Sequence, residues 1–248
     1  MFTLGLVLSL AIGLSLGLLG GGGSILTLPV LHYVFRLEAH DAIAMSLVVV
    51  GVTSTVALVP HARAGRVRWR AGLTFGAASM IAAFAGGRFG TALPGVVLIV
   101  GFALVMLAAG VAMLARSRAP RPASSAGDVR LPRVLAIGLG IGIVTGTLGA
   151  GGGFLIVPVL TLLGGLAMRD AIGTSLLVIA MNSLAGLAAT AAHATLDSRI
   201  GAAVTCVAVA GSLVGVRAGR RLSAQYLQRA FGWFVILVGV FILARELG

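Results

Sequence analysis

The sequence predicts an all-α polytopic membrane protein built from two inverted-topology repeats, each a Gly-broken re-entrant helical hairpin followed by three transmembrane helices. Three observations predict it: an apolar composition, a self-similarity at a fixed shift, and arginine that alternates between equivalent loops. Hydrophobic residues fill 59% of the 248 positions and charged residues 10%, with a mean hydropathy of +1.12. Such a composition cannot furnish a wetted surface. Apolar stretches able to enter ~30 Å of hydrocarbon occupy almost the whole chain.

Sliding the sequence against itself lays Gly17–Arg116 over Gly146–Arg245 without a gap, a shift of 129 residues, with roughly thirty identities in a hundred. Matched pairs include Gly20/Gly149, Gly22/Gly151, Gly23/Gly152, Pro29/Pro158, Asp41/Asp170, Ser46/Ser175, Ser54/Ser183, Gly86/Gly215 and Arg88/Arg217. A polar stretch carrying Pro120, Pro122, Ser124, Ser125 and Gly127 joins the halves and reads as a flexible linker. A single membrane domain over 1–248 is therefore expected, with repeat one at 1–116, a cytoplasmic linker at 117–131 and repeat two at 132–248.

Each half holds four apolar segments, about 2–36, 41–61, 70–89 and 95–116, then 132–163, 170–191, 199–218 and 226–245. The first of each four would be about 50 Å long as one straight helix, and Gly20–Gly23 or the Gly149–Gly153 run interrupts it. Loop charge sets orientation. The 62–70 loop carries Arg63, Arg66, Arg68 and Arg70, whereas its counterpart at 192–199 has Arg199 offset by Asp197. The next connection reverses, with Arg88 alone against Arg217, Arg220, Arg221 and Arg229. Cytoplasmic loops collect arginine, so equivalent loops face opposite sides and the halves are inverted. The segment 132–163 must then begin and end inside, and 2–36 outside, so each is a hairpin and both chain ends are periplasmic. The first twenty residues lack a basic n-region and an A-x-A site and match an internal segment, so they belong to the fold.

The net charge of +12 is all arginine. In short loops without interleaved aromatic rings it does not read as a nucleic-acid surface. A lone Cys206 in an apolar run supports packing only. Scattered histidines, few intramembrane carboxylates and the lack of an H-E-x-x-H motif argue against an enzyme, and no cofactor or metal is implied. The expected partners are the lipid bilayer of a bacterial inner membrane and a small anion.

The anion reading comes from the glycine breaks. A helix restarting at membrane depth leaves N–H groups unpaired, at a cost of several kcal/mol unless something bonds them, and it aims the positive end of its dipole at the break. Two such ends, brought together by inverted repeats, form a ready anion site. Glycine lets an oxyanion approach the backbone and permits positive φ. The candidate binding residues are Gly21, Gly22, Gly23 and Ser24 with Gly151, Gly152 and Gly153; close helix packing is the plainer role for the same glycines. Pro29 and Pro158 would kink the restarted helices. In the next segment Ser46, Thr53 and Ser54, against Thr174, Ser175, Asn182 and Ser183, form a polar stripe of uncharged donors; bonds to their own helix are the alternative. Arg88 and Arg217 would reach toward headgroups or attract substrate, and Asp41 and Asp170 would cap helix starts. His61 is a candidate titrating group, whereas His32 and His193 have no counterpart in the other repeat.

The segments GGGGSILTLP and GAGGGFLIVP, each followed by Asp-Ala-Ile and then Ala-Met-Ser or Gly-Thr-Ser, resemble the TauE/SafE family of sulfite exporters and related sulfonate permeases. The likeness covers nearly the whole chain. It implies carriage of a sulfur-containing oxyanion such as sulfite or an organosulfonate, with the repeated motifs as the substrate region and export as the expected direction. Ala44-Met45-Ser46 departs from Gly-Thr-Ser, so the halves need not contribute equally. A channel, or a carrier for another small anion, stays open as the alternative.

Overall fold

A computed structural model describes residues 2–116, 131–148, 153–190, 197–219 and 221–247. Among them are ten α-helices and no strand: α1 (Phe2–Leu19), α2 (Gly22–Pro29), α3 (Ala39–Arg63), α4 (Trp69–Gly90), α5 (Gly95–Arg116), α6 (Leu131–Thr147), α7 (Gly153–Leu162), α8 (Met168–Thr190), α9 (Ser198–Gly219) and α10 (Ala224–Leu247). Helices α3, α5, α8, α9 and α10 are long and apolar enough to cross a membrane. Helix α4 has similar length but carries Arg70 and Arg88 near its ends and packs between α6 and α8. Large apolar side chains such as Val7, Ile81, Leu104, Leu184 and Leu237 stay exposed on the outside of the bundle, as a lipid-facing surface requires. The chain is a multi-pass helical membrane protein. Gly149, Ala150, Gly151, Gly152, the linker residues from Pro120 to Gly127, His193 and Arg220 lie outside the described residues.

The first segment is a hairpin. Helix α1 stops at Leu19, Gly20 takes φ +75, and α2 returns along α1 with Gly23 against Ile12 and Leu16. A side chain at Gly20 would be strained by that left-handed backbone. Pro29 lacks the N–H that would continue the helical ladder, and Val30–Val34 follows as a π-helical turn closed by Phe35 N–H to the Val30 carbonyl at 3.2 Å. The ring of Phe35 packs on Gly5 near the start of α1. Both arms therefore begin and end at one end of the bundle.

Close approaches at glycine set the other directions. Helix α1 runs parallel to α9, with Gly13 on Ala208, Gly17 on Ser212 and Gly215 on Leu14. Helix α6 runs parallel to α4, with Gly142 on Ser79, Gly146 on Ala83 and Gly86 on Ile143. Each contact of the first set becomes one of the second on applying the 129-residue shift. Small residues let these backbones approach without a side chain between them, the usual basis of tight helix pairing in lipid. Helices α3 and α8, equivalent in the two halves, cross antiparallel: Gly51 meets Ser183, Gly186 meets Leu47 and Gly173 meets His61. Helices α5 and α10 are likewise antiparallel, with Gly110 on Gly232 and Gly239 on Ala103.

These directions gather the basic connections. Arg169 at the start of α8 donates from Nη2 to the Leu222 carbonyl in the α9–α10 turn at 3.0 Å. Arg68 in the α3–α4 turn pairs with Asp170, Nη2 to Oδ2 at 2.7 Å and Nε to Oδ2 at 2.8 Å. Its side chain is 56% exposed, so this pair contributes at most about 1 kcal/mol and serves chiefly to position the turn. The backbone N–H of Arg68 also donates to Thr174 Oγ1 at 3.0 Å. At the opposite end Tyr33 donates to Glu246 of α10 at 2.9 Å. The α3–α4 and α9–α10 turns thus occupy one end, away from the first hairpin's open end and the end of α10.

Candidate functional site

The two helix breaks meet. A Cβ placed on Gly153, the first residue of α7, would fall 2.8 Å from Ser24 Oγ, 2.9 Å from Ile179 Cδ1 and 3.2 Å from Gly21 Cα. Ser24 and Gly153 are equivalent positions under the 129-residue shift, so the two halves touch at matching points. Ile179 is the middle residue of α8, which puts the junction halfway along a helix long enough to span the membrane. Beside it, a Cβ on Gly20 would lie 2.8 Å from Ser175 Oγ and 3.0 Å from the Ile172 carbonyl oxygen. Gly21, Ser24, Gly153 and Ser175 are brought together; Gly151 and Gly152 lie outside the described residues.

Both α2 and α7 begin at this junction, so their free N–H groups and positive dipole ends point into it. Gly21 at the N-cap of α2 offers no side chain to cap the helix. Ser24 does not cap it either, because its hydroxyl donates to the Gly21 carbonyl at 2.7 Å. Ser175 donates to Ile172 O at 2.8 Å and Ser46 to Ile43 O at 2.7 Å. A hydroxyl has one proton, so in this arrangement Ser24 and Ser175 offer lone pairs at the junction rather than donors. Backbone amides are the donors that remain. Gly22 and Gly23 face α1, where a Cβ on Gly22 would sit 3.1 Å from Leu19 Cδ1 and one on Gly23 2.5 Å from Ile12 O. Both thus serve the close packing of the hairpin.

The remaining stripe residues lie elsewhere. Thr174 is used in holding the Arg68 backbone. Asn182 is buried and accepts from the Ser79 hydroxyl of α4 at 2.7 Å. Its counterpart Thr53 is fully buried with no hydrogen-bond partner among the described residues. The physical reason is in the sequence: the position equivalent to Ser79 is Ala208, which has no hydroxyl. Ser54 and Ser183, on the same crossing helices, are also buried without partners among the described residues. Ser79 escaped the sequence reading because its counterpart is not polar. Arg88 stacks over Phe84 at 5.2 Å, and Arg217 donates from Nη1 to the Leu213 carbonyl at 3.3 Å.

A family model described as Sulfite exporter TauE/SafE matches residues 5–242. The chain belongs to the TauE/SafE family. Similar proteins include a "Probable membrane transporter protein" of Xylella fastidiosa strain Temecula1, 35% identical over 95% of this chain and 92% of its own length. Another is the "Probable membrane transporter protein YdhB" of Bacillus subtilis, 26% identical over 68% of this chain and 70% of its own. A similarly named protein of Methanocaldococcus jannaschii is 25% identical over 98% of this chain and 97% of its own. No solved structure matches. This TauE/SafE member is accordingly a membrane transporter, and its duplicated break is the feature that a substrate assignment must explain.

Proposed function

We propose that this chain exports a small sulfur-containing oxyanion, sulfite or an organosulfonate, across a bacterial inner membrane, binding it where the two broken helices meet. The observation that carries the reading is the contact of Ser24 with Gly153 beside Gly20 and Ser175. Two helix starts aimed at one point, halfway along a helix long enough to span the membrane and with no side-chain cap on α2, favour an anion there and disfavour a cation. With no charged side chain among Gly20, Gly21, Ser24, Gly153 and Ser175, the anion can also leave. The family supports sulfur, and the arginine-rich end is the side that the positive-inside rule assigns to the cytoplasm. Rocking of one half against the other about the α3–α8 and α5–α10 crossings would expose the junction alternately to each side.

Flux into proteoliposomes tests this directly. Saturable sulfite movement is expected, inhibited by sulfoacetate and indifferent to an excess of chloride. Equal movement of chloride or phosphate would remove the sulfur assignment, and a non-saturating conductance would make the protein a channel.

A further inference from the structure

Two clefts lie on opposite sides of the helix-break junction, and the 129-residue shift relates them. One is a narrow open cleft lined by Gly17, Ile172, His61, Arg66 and Arg169. The other is a narrow open cleft lined by Gly146, Ile43, His40, Thr91, Thr147 and Thr190. Gly17 and Gly146, Ile172 and Ile43, His61 and Thr190, and Arg169 and His40 are matched positions. The architecture is therefore shared while the charge is not. The first cleft opens at the arginine-rich end, and its floor residue Ile172 touches Gly20 at the junction.

We propose that the first cleft is a loading site for a small oxyanion, held by Arg66 and Arg169 before it passes to the junction, and that the second cleft is a weak release site. Arg66 and Arg169 are both half-buried. One N–H of Arg169 is used on the Leu222 carbonyl, which fixes the guanidinium while leaving others of its five donors for a ligand. The nearby carboxylate of Asp170 is neutralised by Arg68, so the cleft keeps a positive field. Low-dielectric walls concentrate such a field and raise the local concentration of anions. In the second cleft the position of Arg169 is His40, and the position of His61 is Thr190. An anion would thus meet a favourable entrance on one side only. The inference rests on the transport reading above.

Cysteine labelling tests it without requiring flux. In a Cys206→Ser background, the matched variants Leu18→Cys, in the first cleft, and Thr147→Cys, in the second, are reacted with 2-sulfonatoethyl methanethiosulfonate and with its trimethylammonium analogue. The sulfonate-to-ammonium rate ratio is expected to be roughly tenfold higher at Leu18→Cys, to fall on adding Arg66→Gln or Arg169→Gln, and to recover with Arg169→Lys. Free sulfoacetate, which does not consume the reagent, should slow the sulfonate reagent at Leu18→Cys in both neutral and phosphatidylglycerol-containing nanodiscs. Equal ratios in the two clefts, or a ratio unmoved by both arginine substitutions, would overturn the proposal. So would slowing by anionic lipid alone, which would make the site a headgroup seat. Failure of sulfite flux with the labelling asymmetry intact would instead count against the transport reading.

Discussion

Gly153→Ala is expected to cut anion flux by roughly tenfold to a hundredfold while the protein still folds. The added methyl group lands 2.8 Å from Ser24 Oγ and 2.9 Å from Ile179 Cδ1, both side-chain atoms that can shift, but also 3.2 Å from the Cα of Gly21. The start of α2 must then move by a few tenths of an ångström, which displaces the amides aimed at the anion. Small misplacements of groups that must act together can cost about a hundredfold, whereas one methyl in a yielding contact costs a folded protein little. Flux in proteoliposomes and thermal unfolding, read side by side, check this. Wild-type flux in Gly153→Ala would mean that the junction lies off the transport path.

Gly146→Val is expected to have the opposite profile, removing folded protein altogether. Its Cβ would sit 2.6 Å from Ala83 Cα and 2.7 Å from the Ala83 carbonyl carbon, backbone atoms that cannot turn aside. Helices α4 and α6 would have to part, and overpacking of this kind costs about 1–3 kcal/mol or more. Gly17→Val should behave alike, because its Cβ meets the Ser212 carbonyl carbon at 2.8 Å and the Val216 nitrogen at 2.9 Å in the equivalent α1–α9 pair. Gly140→Ala, with nothing within 4 Å, is the control and should be neutral or slightly stabilising. The fraction of monodisperse protein after detergent extraction reads all three. Equal recovery of Gly146→Val and Gly140→Ala would show that the pairing is not held by close approach.

The sequence revealed the helix segments because lipid demands unbroken apolar runs, and the helix break because glycine is so poor a choice inside one. Loop arginine gave the expectation that the halves are inverted; the crossings of α3 with α8 and of α5 with α10 are antiparallel. What the sequence left hidden were pairings across helices. A serine in a membrane helix can turn inward to its own carbonyl, as Ser24, Ser46 and Ser175 do, and no spacing rule distinguishes that from facing a ligand. The polar stripe therefore divided on contact partners: Asn182 goes to Ser79 and Thr174 to the Arg68 backbone. Pro29 was a visible signal for a distortion, but only the fold locates it as the turn over Val30–Val34. The charge difference between the clefts was unreadable for the same reason, since Arg66 and Arg169 are far apart in the chain and become neighbours only when α8 packs beneath the α3–α4 turn.

The central claim is that substrate passes where the two breaks touch, and a reversible cross-link there tests it most directly. Ser24→Cys and Gly153→Cys, combined with Cys206→Ser, place two thiols within bonding reach. Oxidation is expected to join them, stop sulfoacetate flux until a reductant is added, and proceed more slowly when sulfoacetate, which does not cleave disulfides, is present. A cross-link that forms fully, is indifferent to sulfoacetate and leaves flux unchanged would contradict the account.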